Sequence, residues 1–144
     1  MLGPIVFTLY NSPIHSISLK HGVSDHLYAD DEQIYVSFPL VPDHSAQSRA
    51  YSMVSNCVSE TQAWMSDNLI QFNGPKSDAL VCYSKTSRLK PTNFPLVLGD
   101  ASISPSETVL NLGVTLDTHL SMQKQIGKVC STAFYKLGKI VKIR

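Results

Sequence analysis

Between two hydrophobic stretches that alternate residue by residue, the chain sets three acids in a row. In HLYADDEQIYVSF, residues 26–38, these are Asp30, Asp31 and Glu32. Val23 and Leu27 share one parity, and Ile34, Val36 and Phe38 share another, which is the two-residue period of half-buried strands. The pattern predicts a β-hairpin with strands near 23–28 and 32–38. Its turn lacks the Asn-Gly or Asp-Gly pair that tight turns favour. Adjacent carboxylates about 4 Å apart repel by roughly 1 kcal/mol in water, and by about 4 at an effective dielectric of 20. A plain turn avoids that cost, whereas a turn that grips a divalent cation uses it. The expectation is an exposed tip carrying Asp30 and Asp31, with Glu32 directed to solvent.

With 144 residues and 43% hydrophobic content, the chain is long enough for one domain with a real core. Cys57, Cys82 and Cys130 are odd in number and widely spaced, which gives neither a disulfide framework nor a zinc pattern and fits a reducing compartment. The apolar opening MLGPIVFTLY has no basic n-region and is followed by Pro13, unlike a signal peptide. No apolar run approaches the ~20 residues of a membrane span, so no membrane partner is expected. Charge is uneven. Residues 1–70 hold seven acids and two bases, while residues 120–144 hold six bases (Lys124, Lys128, Lys136, Lys139, Lys142, Arg144) and no acid. An acidic first half and a basic end fit a cation-facing region and an anion-facing one.

Along the chain, Gly3 to Gly22 reads as a helix that Pro13 kinks or splits, with Gly22 as its C-cap. Val6, Phe7 and Leu9 read as core. After the hairpin and a polar loop, apolar positions recur at helical spacing from Ser45 to Leu69 (Ala50, Val54, Cys57, Thr61, Trp64, Met65), with Ser45 placed as N-cap. Trp64 and Met65 read as core on that helix. Lys76 to Lys85 reads as a strand. FPLVLGDASIS and TVLNLGVTLD read as short strands around Gly and Pro turns. Ile126, Val129, Ala133, Phe134, Leu137, Ile140 and Val141 form an amphipathic stripe to the end. The order is α+β. The five histidines share no ligand spacing.

YADD at Tyr28-Ala29-Asp30-Asp31 resembles the aromatic-x-Asp-Asp motif C of the reverse-transcriptase palm. LGPIVFTLY upstream resembles the tail of motif B. WMSDNLIQFNGPKSDALVCY resembles the segment carrying motif D, and LNLGVTLDTHLSMQKQIGKV the motif E hairpin with its following helix. In order and spacing, from Leu2 to Arg144, the chain resembles the reverse transcriptase of non-LTR (LINE-type) retrotransposons. The resemblance implies a partial palm over 1–118 and the start of a thumb over 119–144. It implies RNA-directed DNA polymerisation by the parent enzyme, with an RNA template, a DNA primer, dNTPs and Mg²⁺ or Mn²⁺.

Two-metal nucleotidyl transfer needs carboxylates that hold a pair of ions about 3.5–4 Å apart. By resemblance, Asp30 is a metal ligand and Asp31 its neighbour in the site, with Tyr28, Gly3 and Pro4 bordering nucleotide or template. Lys76 takes the motif D position that protonates leaving pyrophosphate, although NGPKSD stands where NDDKTE-like text is usual. Leu112 and Gly113 match the primer grip, and Lys124 and Lys128 fall where the thumb meets phosphates. The match begins inside motif B, so the motif A aspartate and the fingers lie outside it. The sequence therefore reads as a truncated palm, inactive by itself, with weak metal affinity and an exposed sheet edge prone to self-association. The alternative is a relic that serves at most as a nucleic-acid-binding or interaction module.

Overall fold

The computed structural model describes residues 3–98 and 101–141. Lys142 and Arg144 of the basic end, and Leu2 of the resemblance, lie outside the described residues. The chain is α+β and divides into two compact units, residues 1–77 with 89–104, and residues 78–88 with 105–144.

In the first unit, helices α1 (Gly3–Tyr10) and α2 (Ser12–Lys20) follow one another with a break at Asn11. Pro13 sits in the first turn of α2, where its missing N–H costs nothing, so the proline splits the predicted helix rather than kinking it. Gly22 leaves α2 at φ 68°, a conformation open to glycine. Strands β1 (Ser24–Tyr28) and β2 (Asp31–Tyr35) pair antiparallel, Tyr28 with Asp31 and Ser24 with Tyr35. Helix α3 (Ser45–Asp67) follows and packs on α2. Ile17, Val23 and Cys57 form the core, with Ile34, Val36, Met53, Val54 and Trp64 packed against it.

Two side chains of α3 pin the later part of this unit. Gln47 is buried, and its amide accepts from the Thr92 N–H at 2.9 Å while donating to the Thr92 carbonyl. Ser55 Oγ donates to the Val97 carbonyl on β3 (Leu96–Leu98), which pairs with β4 (Ala101–Ile103).

Four expectations need correction. Ser45 is the first helical residue of α3 rather than its N-cap. The capping acceptor is the Asp43 carboxylate, which takes the Ser45 N–H at 3.2 Å and its hydroxyl at 2.9 Å. Those bonds, the backbone one foremost, hold the Asp43 pKa below its ordinary value. Val6, Phe7 and Leu9 are exposed, not core: α1 packs chiefly on the neighbouring α2, and Tyr10 at its end meets Trp64 and donates to the Asn68 carbonyl, contacts that leave these three side chains open. Residues 76–85 make no strand. They start on the last residue of a 3₁₀ turn, Gly74–Lys76, and run on irregularly, with two isolated backbone bonds to distant residues, to Ala79 O and from Tyr83 N, too few for a ladder. Glu32 is the fourth, and it belongs to the site below.

The second unit is built on the antiparallel pair β5 (Thr108–Asn111) and β6 (Val114–Asp117), followed by α4 (Gln123–Val141). Leu112 and Gly113 form the turn, with φ 47° and 82°. The β6-to-α4 connection is organised by one carboxylate. Asp117 Oδ1 accepts the N–H groups of His119 (3.0 Å) and Ser121 (3.1 Å), and Oδ2 accepts the Ser121 hydroxyl (2.9 Å) and the Met122 N–H (3.1 Å). The Ser121 N–H leads the contacts that lower the Asp117 pKa.

Candidate functional site

The hairpin has two faces because successive strand residues alternate. On the inner face, Asp25 is paired with Ile34 and Leu27 with Glu32. On the outer face, His26 is paired with Gln33, Tyr28 with Asp31, and Ser24 with Tyr35. Only Ala29 and Asp30 separate the strands. Ala29 has φ 57° and Asp30 is not left-handed, the φ signature of a type II′ turn, which suits the strand twist. Tyr28, Asp30 and Asp31 are all exposed, and Tyr28 leaves 64% of its surface open. The tip therefore presents two adjacent carboxylates beside an aromatic ring, as expected.

Behind it lies a polar layer that was not foreseen. The Asp25 side chain is only 3% exposed, and its Oδ1 meets His15 Nδ1 at 2.8 Å, with the His15 ring largely open to solvent. Glu32 is half-buried, and its Oε1 is buried without a hydrogen-bond partner. Desolvation, and then the Asp25 charge, push the Glu32 pKa up to about 7. Below them Cys57 is fully buried, 3.7 Å from Ser18 Oγ. Burial raises its thiol pKa, and the nearby carboxylates add to that against the Ser18 bond.

Glu32 thus faces inward, against the expectation of a solvent-facing residue. It shares the parity of Ile34 and Val36, and once register is fixed that parity points it at the helices. Asp25 lies between Val23 and Leu27 on their face, so the same signal marked it. His15 gave no sequence signal, because its partner is set by α2 packing on the hairpin.

The other candidates belong to other elements. Gly3 and Pro4 open α1. Lys76 ends the 3₁₀ turn, exposed, and among the described residues no ion pair joins it to Asp30 or Asp31. Leu112, Gly113, Lys124 and Lys128 belong to the second unit, the lysines on an exposed stretch of α4. Among the described residues no cluster of three or more His, Cys, Asp or Glu side chains could hold a metal ion. No described helix is long and apolar enough to cross a membrane.

No protein-family model, no curated protein and no solved structure matches the chain.

Proposed function

We propose that the β1–β2 hairpin is the motif C element of a reverse-transcriptase palm, and that the chain is a fragment of a LINE-type retrotransposon polymerase. The observation that carries this reading is the tip. Asp30 and Asp31 stand exposed and adjacent on a two-residue turn, next to Tyr28, in the order the resemblance requires. Two carboxylates at a solvent-facing tip fit half of a two-ion site. A cation held by Asp30 and Asp31 would supply Lewis-acid activation and charge neutralisation for nucleotidyl transfer.

The chain's own contribution is positional. The paired strands fix where the two carboxylates stand, and the buried layer behind them anchors the hairpin to α2 and α3. Opposed carboxylates are needed to fix two ions, and a site loosened by about 1 Å loses roughly 10²-fold in rate. The chain alone therefore should not incorporate dNTPs on an RNA template with a DNA primer.

A second reading rests on α4, whose Lys124, Lys128, Lys136 and Lys139 are exposed with no acid among them. On that reading the fragment binds nucleic-acid phosphates without catalysis.

The test is an Mn²⁺ titration followed by paramagnetic broadening of backbone resonances. Mg²⁺-type sites keep several waters and want six ligands, so two carboxylates should bind at roughly millimolar affinity. Broadening confined to residues 28–32 and lost in Asp30→Asn with Asp31→Asn is the expected result. Broadening centred elsewhere removes the motif C assignment. Labelled dNTP incorporation on poly(rA)/oligo(dT) that vanishes in Asp30→Asn would promote the fragment to an enzyme.

A further inference from the structure

Helix α4 has an apolar face that nothing in its own unit covers. Ile126, Val129, Phe134, Leu137, Ile140 and Val141 are each between 55% and 74% exposed. At roughly 100 Å² apiece they make a patch on the order of 600 Å², the top of the ~300–600 Å² range for the largest patch of a monomer. We propose that this face pairs with the same face of a second copy of the chain, antiparallel, about a two-fold axis level with Tyr135.

The spacing carries the first part. Ile126, Cys130, Ala133, Leu137 and Ile140 follow one another at intervals of four, three, four and three residues. That is the seam of a two-stranded coiled coil, in which each side chain enters a hole on the facing helix. Two copies would bury roughly 1,200 Å², at the threshold of about 1,000–1,200 Å² for a specific if modest interface.

Charge placement carries the second. At 3.6 residues per turn, Lys124, Lys128 and Lys139 fall within about 30° of the side opposite the stripe centre, and only Lys136 flanks it. A bilayer or acidic partner covering the stripe would be met by lysines along its borders. Here they project away from whatever covers it. The cover is selected by apolar shape, and two such helices keep their like charges on the outside.

Residue size sets the direction. In a parallel pair Cys130 faces Cys130 and Ala133 faces Ala133, leaving two adjacent thin layers. Run antiparallel, each position of one type faces one of the other type, so Cys130 meets Ile140 and Ala133 meets Leu137; small opposes large and the layers fill evenly.

The experiment uses the full chain, with mass read by light scattering and sedimentation between about 1 and 100 µM. A dimer that becomes monomer in Leu137→Glu with Ile140→Glu, its dissociation constant weakened at least ~100-fold by charges buried in the seam, is the expected result. Those positions are exposed within one chain, so far-UV circular dichroism should keep its helical signal. In a Cys82→Ser background, oxidation should cross-link Ala133→Cys with Leu137→Cys and Cys130→Ser, but not the native Cys130. A monomer at 100 µM, a dimer that survives the double substitution, a monomer that floats with anionic vesicles, or cross-linking through Cys130 would each overturn the proposal.

Discussion

Hairpin β1–β2 turns through Ala29-Asp30 and hairpin β5–β6 through Leu112-Gly113, each with two residues between its last paired positions. The first lies on helices and hides carboxylates behind its strands. The second carries its order in a local network, with Asp117 gathering four donors at the strand end and Gln125 accepting the Thr115 N–H at 2.9 Å. Packing fixes one, side-chain-to-backbone hydrogen bonds the other. On the proposed reading the difference bears on function, because a tip that takes a cation needs a rigid base whose position does not depend on its own exposed charges.

The largest effect should come from removing that base. Ile17 is 8% exposed and sits in the core with Val23 and Cys57. Ile17→Ala should cost about 2–5 kcal/mol by transfer and cavity terms, read as a lower urea midpoint. Leu110→Ala on the other hairpin removes a side chain that is 61% exposed, and should stay within about 0.5 kcal/mol. Equal costs at the two positions would show that packing does not distinguish the hairpins.

The second effect is a pH dependence specific to the packed hairpin. Glu32 has its pKa raised from 4.5 to about 7, so the folded state holds its proton where the unfolded chain has lost it. The folded state then binds more protons between those values, and stability falls as pH rises through that window. The full loss above it is on the order of 3 kcal/mol. Glu32→Gln should be flat over the same range and more stable than wild type at pH 8, measured by denaturation at pH 4, 6 and 8. Asp25, His15 and Cys57 face Glu32 or its partner, so the difference between the two curves is the quantity that isolates it. Parallel curves would place Glu32 in water.

Much of this arrangement was legible in the sequence. The period-2 pattern around Val23, Leu27, Ile34 and Val36 gave the hairpin, because one buried face forces register. Helical spacing from Ala50 to Trp64 gave α3, and Leu-Gly between apolar runs gave the β5–β6 turn. Lys76 to Lys85 misled because a β-like composition describes what a residue tolerates, while a strand needs a neighbour to pair with. Val6, Phe7 and Leu9 misled because apolar content predicts burial only where another surface is present to cover it. The Asp25–His15 contact was not legible, since it depends on how α2 meets β1. Glu32 lies outside the YADD motif, which by itself suggests a solvent-facing residue, but its parity with Ile34 and Val36 is the signal that places it inward.

The smallest effects belong to the turns, and they separate the two hairpins at a single backbone angle. Ala29 has φ 57° and Leu112 φ 47°, each an L-residue in the left-handed region, which costs roughly 1–2 kcal/mol. A type II′ turn wants glycine first, and a type I′ turn wants Asn-Gly. Ala29→Gly should recover the left-handed penalty but give back about 0.5–1 kcal/mol of chain entropy, a net gain of roughly 0.5. Leu112→Asn, ahead of Gly113 at φ 82°, keeps a side chain that tolerates the conformation and should gain a similar amount without glycine's entropy cost. The control is Gly113→Ala. A Cβ there would meet nothing within 4 Å, so any loss is backbone strain alone, expected at about 1–2 kcal/mol. A gain from Leu112→Gly as large as from Leu112→Asn would mean that the first turn position does not distinguish the two hairpins.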